Sequence, residues 1–425
     1  MRPRKSWIAA SLAACVVATL TACGSSGGSS SGSQQLSLWV RASDATVATK
    51  MAASYNAGHS GTTVKVTVIP DGQYFPKLGA AIAGGQAPDL AATDYTYVPK
   101  LGSTEQFEDL TERAKSLPFY PNGLSKAHLR AGTVGGKVYA MPFSGDASLL
   151  LYNKDLFKKA GLDPNKPPTT WKQIREYAAK INHLGKGVHG YYFAGQCGGC
   201  NTFTLLPFMW ASGGDILNED GTKATIAGNG ALKGALELYR ALWTDGVVDP
   251  SAKSDNGSSW ATTFQSGKIG IQPLGAFGIS GLRASHPEIN FGVGYIPGMN
   301  GKWSSYAGGD DIAIPRGAKN VDKSWDFIQW SLQTVQQKSI LAGNDVIPVR
   351  TDDAMKTYQQ KDPRYVVAGN AEIQGRTTYS ARSQSLFSDP SGPFNALVQT
   401  AVFGGDIDGA MKKAQADFDS VLSGK

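Results

Sequence analysis

From about Gln35 onward the chain alternates short strand-like runs with stretches of helical spacing, and this alternation narrows the possible folds most. Residues 36–40 read as a strand, 46–55 as a helix ending near Gly58, and 64–69 as a second strand. Residues 74–83 then read as a helix stopped by Gly84-Gly85, and 89–92 as a third strand. Strand–helix–strand order of this kind implies α/β architecture, with a mainly parallel sheet covered by helices. Beyond Met141-Pro142-Phe143 the helices lengthen. Thr170 opens one over 170–181, residues 231–243 carry an apolar stripe through Leu232, Leu236 and Tyr239, and Asp406 caps a last one. At 425 residues the chain has material for two lobes.

The N-terminus reads as an export signal. Residues 1–22 place Arg2, Arg4 and Lys5 before an apolar stretch of roughly 14 residues, too short to span a bilayer but suited to a signal peptide. The stretch ends in Leu20-Thr21-Ala22-Cys23, similar to a bacterial lipoprotein box, which makes Cys23 the expected lipidation site. Residues 24–35 contain only Gly, Ser and Gln, so 23–35 read as a flexible tether. Lipid, tether and body together predict a protein held on the outer face of the cell membrane. The formal charge of +7 falls to +4 without the three signal cations, and the remaining Lys and Arg form no basic run. Nucleic acid is therefore not an expected partner.

Only Cys197 and Cys200 remain in the body, as Cys197-Gly-Gly-Cys200. A second CxxC or a paired HxxxH would be needed to complete a zinc site, and neither is present among five scattered histidines. Two intervening glycines favour a loop, so the pair is expected to be a disulfide clip worth about 2 kcal/mol. The sequence lacks a GxSxG elbow, a Walker A loop and a GxGxxG turn, which lowers the expectation of an enzyme. No cofactor or metal is implied.

Five blocks in order carry a family resemblance. They are Gly84-Gly85-Gln86-Ala87-Pro88-Asp89-Leu90; Gly136-Lys137-Val138-Tyr139-Ala140-Met141-Pro142-Phe143; Tyr152-Asn153-Lys154-Asp155-Leu156-Phe157 with Ala160-Gly161-Leu162 and Pro168-Thr169-Thr170-Trp171; Ser266-Gly267-Lys268-Ile269-Gly270; and Gly308-Gly309-Asp310-Asp311-Ile312-Ala313-Ile314-Pro315. Together, over 36–422, they resemble the family 1 extracellular solute-binding proteins of ABC importers, the maltodextrin-binding-protein-like group. The resemblance implies a two-lobed periplasmic-binding-protein-like clamp joined by hinge segments, lobe 1 from 36–143 plus 312–349 and lobe 2 from 144–311 plus 350–425. It implies a monomer that closes on a carbohydrate and passes it to permease subunits without catalysis.

A sugar clamp needs carboxylates and amides for hydroxyls and flat rings for C–H faces. Ligands of open α/β sheets sit at the carboxyl ends of strands. Asp44 follows the first strand, where helix capping is the competing role. Gln73, with Tyr74, is expected in the loop after the second strand, and Asp94 and Tyr95 follow the third. Asp146 matches the family's carboxylate beyond the hinge, Asn201 and Phe203 its second-lobe contacts, and Phe277 its stacking tryptophan. Gly309 and Asp310 belong to the later hinge block, while Arg376 and Tyr379 lie where the group delivers a further aromatic. Trp260 and Trp303 are aromatics without an assigned place. The competing readings are a binding protein for a polyol phosphate, for which Arg376 with Arg382 is the suggestive pair, and a carbohydrate-active enzyme in which Asp94 and Asp146 form a carboxylate pair.

Overall fold

The computed structural model describes residues 34–424, so the expected signal peptide over 1–22 and the expected lipidation site Cys23 lie outside the described residues. Eight strands form the central sheet: β1 Gln34–Arg41, β2 Thr62–Ile69, β3 Leu90–Asp94, β4 Met141–Asn153, β5 His189–Tyr191, β6 Ile269–Gly275, β7 Phe291–Gly294 and β8 Ala307–Ala313. Their order is β2-β1-β3-β8-β4-β6-β5, with β7 also paired to β4. β1 runs parallel to β2 and β3, and β5 to β6, but β8 is antiparallel to both β3 and β4, and β4 to β6 and β7. The sheet is therefore mixed rather than mainly parallel. The antiparallel partners come from the returning chain, which the local βαβ pattern does not show. Gln34 and Gln35 start β1 rather than belonging to the tether.

The helices that matter for the site are α1 Ala45–Gly58, α2 Asp71–Ala83, α3 Lys126–Gly132, α4 Trp171–Asn182, α5 Gly198–Ala211, α6 Gly230–Thr244, α7 Phe277–Ser285, α8 Val321–Ser331, α9 Pro363–Gln374 and α10 Ile407–Ser423. Caps fix several of their starts: Thr170 accepts from the Gln173 amide, Asn229 from Leu232 and Asp406 from Gly409. Among the described residues, no helix is long and apolar enough to cross a membrane.

Two large apolar cores flank the sheet. One joins Leu36, Leu38, Val40 and Met51 to Met141, Phe143, Ile312, Phe327 and Ile328. The other joins Leu149–Leu151 to Leu205, Phe208, Leu236, Tyr239, Ile271, Leu397 and Phe418. β4 runs from one core into the other, and all thirteen of its residues are buried except Asp146. That exception marks where the strand meets a cavity.

Candidate functional site

The cavity measures about 680 Å³ and lies where β1, β3, β4 and β8 from one side face α5, α7 and the Trp260 segment from the other. One side is ionic. Arg41, the last residue of β1, donates from Nε to both Asp310 oxygens at 3.0 and 3.1 Å and from a terminal nitrogen to Oδ1. The same guanidinium lies 3.6 Å from Asp94 and 3.8 Å from Asp44 and from Asp71. One cation thus serves four carboxylates. Burial pushes the Asp310 carboxyl well above the usual range, with Arg41 pulling against it. Asp44 directs its carboxylate to the Ser144 hydroxyl at 2.6 Å instead of capping α1. Asp94 accepts from the Thr96 amide and hydroxyl through Oδ1, leaving Oδ2 toward Arg41.

Asp146 stands opposite Gly308 in the β4–β8 register. Burial raises its carboxyl to about 7, although the amides of Ala147, Phe277 and Ala276 pull it down. A Cβ on Gly275 would fall 2.6 Å from the Asp146 carboxylate and 2.3 Å from the Phe277 ring, so glycine there lets both groups reach the cavity. A Cβ on Gly308 would meet Phe203 at 2.6 Å, and Gly309, at φ +120°, presses against the Ser144 carbonyl.

The facing wall is aromatic. Phe277 is 41% exposed, unusual for a large apolar side chain, and meets Trp260 edge-on at 5.6 Å between centroids. Phe203 lies 6.3 Å from Trp260 and 5.2 Å from Tyr306, which stacks on Trp210 at 5.4 Å. Tyr306 is fixed by Thr378 through a 2.8 Å hydroxyl contact.

Behind the ionic side lies a buried network. His128 on α3 shares a hydrogen bond of 2.6 Å with Asp311 and one of 2.8 Å with the Gly308 carbonyl, and lies 3.7 Å from Glu372 on α9. Ser125 donates to Glu372 at 2.6 Å. Burial alone would lower the His128 pKa, but Asp311 and Glu372 outweigh it and raise it to about 9; burial lifts Glu372 to about 7.

Of the residues singled out from sequence, Asp44, Asp94, Tyr95, Asp146, Phe203, Phe277 and Gly309 line the cavity, together with the previously unplaced Trp260. Five do not. Gln73 sits exposed in the first turn of α2, because the helix begins at Asp71 directly after Pro70 and leaves no loop. Asn201 is buried and spends its amide on the Ala194 and Cys197 carbonyls. Asp310 lies beneath the surface as the partner of Arg41. Arg376 and Tyr379 line a separate cavity of about 260 Å³, where Arg376 pairs with Asp215 and the Tyr379 ring lies 3.8 Å under the Arg130 guanidinium. Trp303 stacks on Tyr295 at 4.0 Å, away from the main cavity.

Cys197 and Cys200 form a disulfide, but not in a loop: Cys197 caps α5, and Cys200 belongs to its first turn and to the cavity lining. The sequence reading missed Arg41, Ser144 and Tyr306, and the linings from Asn344–Ile347 and from Thr378, Ser383, Phe387 and Ser388. Arg41 had a readable signal, a cation ending a strand next to Asp44. Ser144 and Tyr306 each stand two residues before a position the sequence did single out, Asp146 and Gly308, whereas the Asn344–Ile347 segment arrives from a distant part of the chain. Among the described residues, no group of three or more acidic, His or Cys side chains is arranged to hold a metal, the aspartates around Arg41 being a guanidinium site.

A sheet shared by two cores, with an ionic and aromatic cavity between them, defines a ligand-binding protein rather than a scaffold. The family model for bacterial extracellular solute-binding proteins matches residues 40–338, and the chain belongs to that family. A Brucella abortus (strain 2308) chain named only as a binding protein is 26% identical over 87% of this chain and 88% of its own length. A maltooligosaccharide ABC transporter solute-binding lipoprotein of Streptococcus pneumoniae (strain R6) is 26% identical over 65% of this chain and 63% of its own. In fold, the chain is similar to an ABC transporter solute-binding protein of Thermotoga lettingae, solved with α-D-tagatose, at a TM-score of 0.81. That match has 23% identity and covers 92% of this chain and all of the other.

Proposed function

We propose that this protein captures a neutral mono- or oligosaccharide in the main cavity and hands it to the permease subunits of an ABC importer, working as a monomer tethered outside the membrane by lipid on Cys23. The observation that carries this reading is the pairing of carboxylates with ring faces. Asp44, Asp94 and Asp146 offer acceptors for hydroxyls, while Phe203, Trp260 and Phe277 offer surfaces for C–H faces. We take the lobes to divide at 36–143 plus 312–349 and 144–311 plus 350–425, with closure driven by contacts that a ligand makes to both.

A polyol phosphate suits this cavity poorly. It would meet Asp44, Asp94, Asp146 and Asp345, while Arg41, the one basic lining side chain among the described residues, is already committed to Asp310. Arg376 and Arg382 lie off the cavity lining. The enzyme reading has one observation in its favour: a carboxyl held near 7 at Asp146 could act as a general acid.

One screen tests all three. Thermal shifts of the purified protein should be positive with some member of a neutral saccharide panel and absent with glycerol 3-phosphate and glucose 6-phosphate. Chromatography of the stabilising sugar should recover it unchanged. New products would move the assignment to an enzyme, and a shift with the phosphates alone would overturn the saccharide.

A further inference from the structure

We infer that the Cys197–Cys200 disulfide is a positioning element of the ligand cavity, setting where Phe203 and Trp260 stand and hence how tightly a ligand is held. The inference rests on the saccharide reading for its affinity arm and on geometry alone for the rest. The sequence offers only a staple between near neighbours. The structure places that staple at the meeting of three stretches of cavity wall.

The first stretch is the start of α5. The Cys197 sulfur accepts the Cys200 amide at 3.1 Å, so the disulfide residue itself caps the helix whose next turn carries Thr202 and Phe203 into the cavity. Asn201 fastens the same turn to the backbone of Ala194 and Cys197.

The second stretch is the loop from Asp255 to Trp260. Gly257 has φ +103°, and a Cβ there would lie 3.0 Å from the Cys197 sulfur and 3.1 Å from that of Cys200, so this loop rests on the bridge. Asp255 holds the loop's shape by accepting from the Gly257 and Ser259 amides, and is itself held by the Tyr192 hydroxyl at 2.6 Å. Three residues beyond Gly257 the chain delivers Trp260, anchored by its ring nitrogen to the Pro273 carbonyl at 3.3 Å.

The third stretch is Phe387 and Ser388, both lining the cavity. The Phe387 carbonyl approaches Gly198, between the two cysteines, so closely that a Cβ there would lie 2.4 Å from it. The turn from Cys197 to Cys200 that the bridge closes meets all three stretches, through its sulfurs and through Gly198, and so fixes their spacing. Two unlinked cysteine side chains at 197 and 200 would be free to adopt separate rotamers, and the Gly257 loop would lose its support.

The test compares wild type with Cys197→Ser/Cys200→Ser and with Gly257→Ala, which crowds the sulfurs while leaving the bridge intact. Each is made with Trp260 and with Trp260→Phe, so that the emission of Trp260 is obtained by difference. Acrylamide quenching of Trp260 should rise at least twofold in both variants. Affinity for the best binder among glucose, mannose, maltose and mannobiose should fall about tenfold, while the melting temperature without sugar drops only a few degrees. Unchanged quenching overturns the inference, as does altered quenching with unaltered affinity. If none of the four sugars binds wild type, the saccharide reading is what fails, and quenching still decides whether the disulfide positions Trp260.

Discussion

On one side of the cavity Arg41, Asp44, Asp94 and Ser144 present charge and hydroxyls; on the other Phe203, Trp260 and Phe277 present ring faces. The two sides are built by different means. The ionic side is set by strand ends, where neighbouring strands in register bring Asp94 opposite Asp310 and Gly308 opposite Asp146. The aromatic side is set by helix starts and loops, each held by a local device such as the Cys197 cap or the Gly275 gap. Charge groups need fixed distances, which a sheet register supplies. Ring faces need area, which loops can supply and vary.

The sharpest way to break this comparison is to remove the cation that organises the ionic side. Arg41→Met leaves Asp310 buried without its partner and should cost about 3–5 kcal/mol of stability. Chemical denaturation should show this, and Arg41→Met/Asp310→Asn should recover part of it. An unchanged midpoint for the single variant would mean that the ionic side is not organised through Arg41.

A pH titration probes the support behind that side. Glu372 keeps its proton to about 7 in the fold but only to the usual carboxylate range when unfolded, so stability falls as pH rises through that interval. His128 holds its proton to about 9 and adds stability below its ordinary value, lost as pH rises through 9. Both act in one direction. Melting temperature should decline from pH 5 to 9, with the Glu372 share up to about 3 kcal/mol, and Glu372→Gln should flatten its lower part.

Single contacts come next. Asp146→Ala should weaken saccharide binding by about 1.5–3 kcal/mol, or roughly 10- to 150-fold by calorimetry. Phe277→Ala, on the other side, should cost about 1–2 kcal/mol of affinity through lost apolar area, and Phe277→Trp should retain binding. Neither should unfold the protein, since Asp146 and Phe277 both face the cavity. At the small end, Gln73→Ala and Arg376→Ala should leave affinity within about twofold, because both lie off the cavity. A loss above tenfold in either would return them to the site.

How far the sequence could be read follows the same division. Asp44 and Asp94 were legible because strand ends are legible, whereas Asp146, in the middle of β4, was reached through its match to the family's carboxylate beyond the hinge. Phe277 was reached through its match to the family's stacking tryptophan. Asp310 was read one layer too shallow: its place beside Gly309 was plain, but alternation along β8 turns its side chain to Arg41 and leaves Gly309 at the surface of the cavity. Gln73 failed through a boundary, since the run after Pro70 enters its helix at Asp71, three residues sooner than the apolar spacing suggests. Arg376 and Tyr379 failed because their partners, Asp215 and Arg130, lie more than 150 residues away in the chain. The parallel expectation for the sheet failed for the same reason, β8 pairing with strands that precede it by far.

That late return of β8 also bears on how the chain acquires its structure. The core built on Leu36, Leu38 and Phe143 is completed by Ile312, Phe327, Leu341 and Val349. A chain that emerges from its N-terminus first must carry more than 160 residues past Phe143 before the missing strand at Ala307 and the helix at Val321 arrive. Pairings so distant in sequence are slow to form. An exported chain of this design stays incompletely folded until most of it has been delivered, which keeps it compatible with passage as an extended thread and exposes its half-built sheet edge to any holding factor it meets on the way.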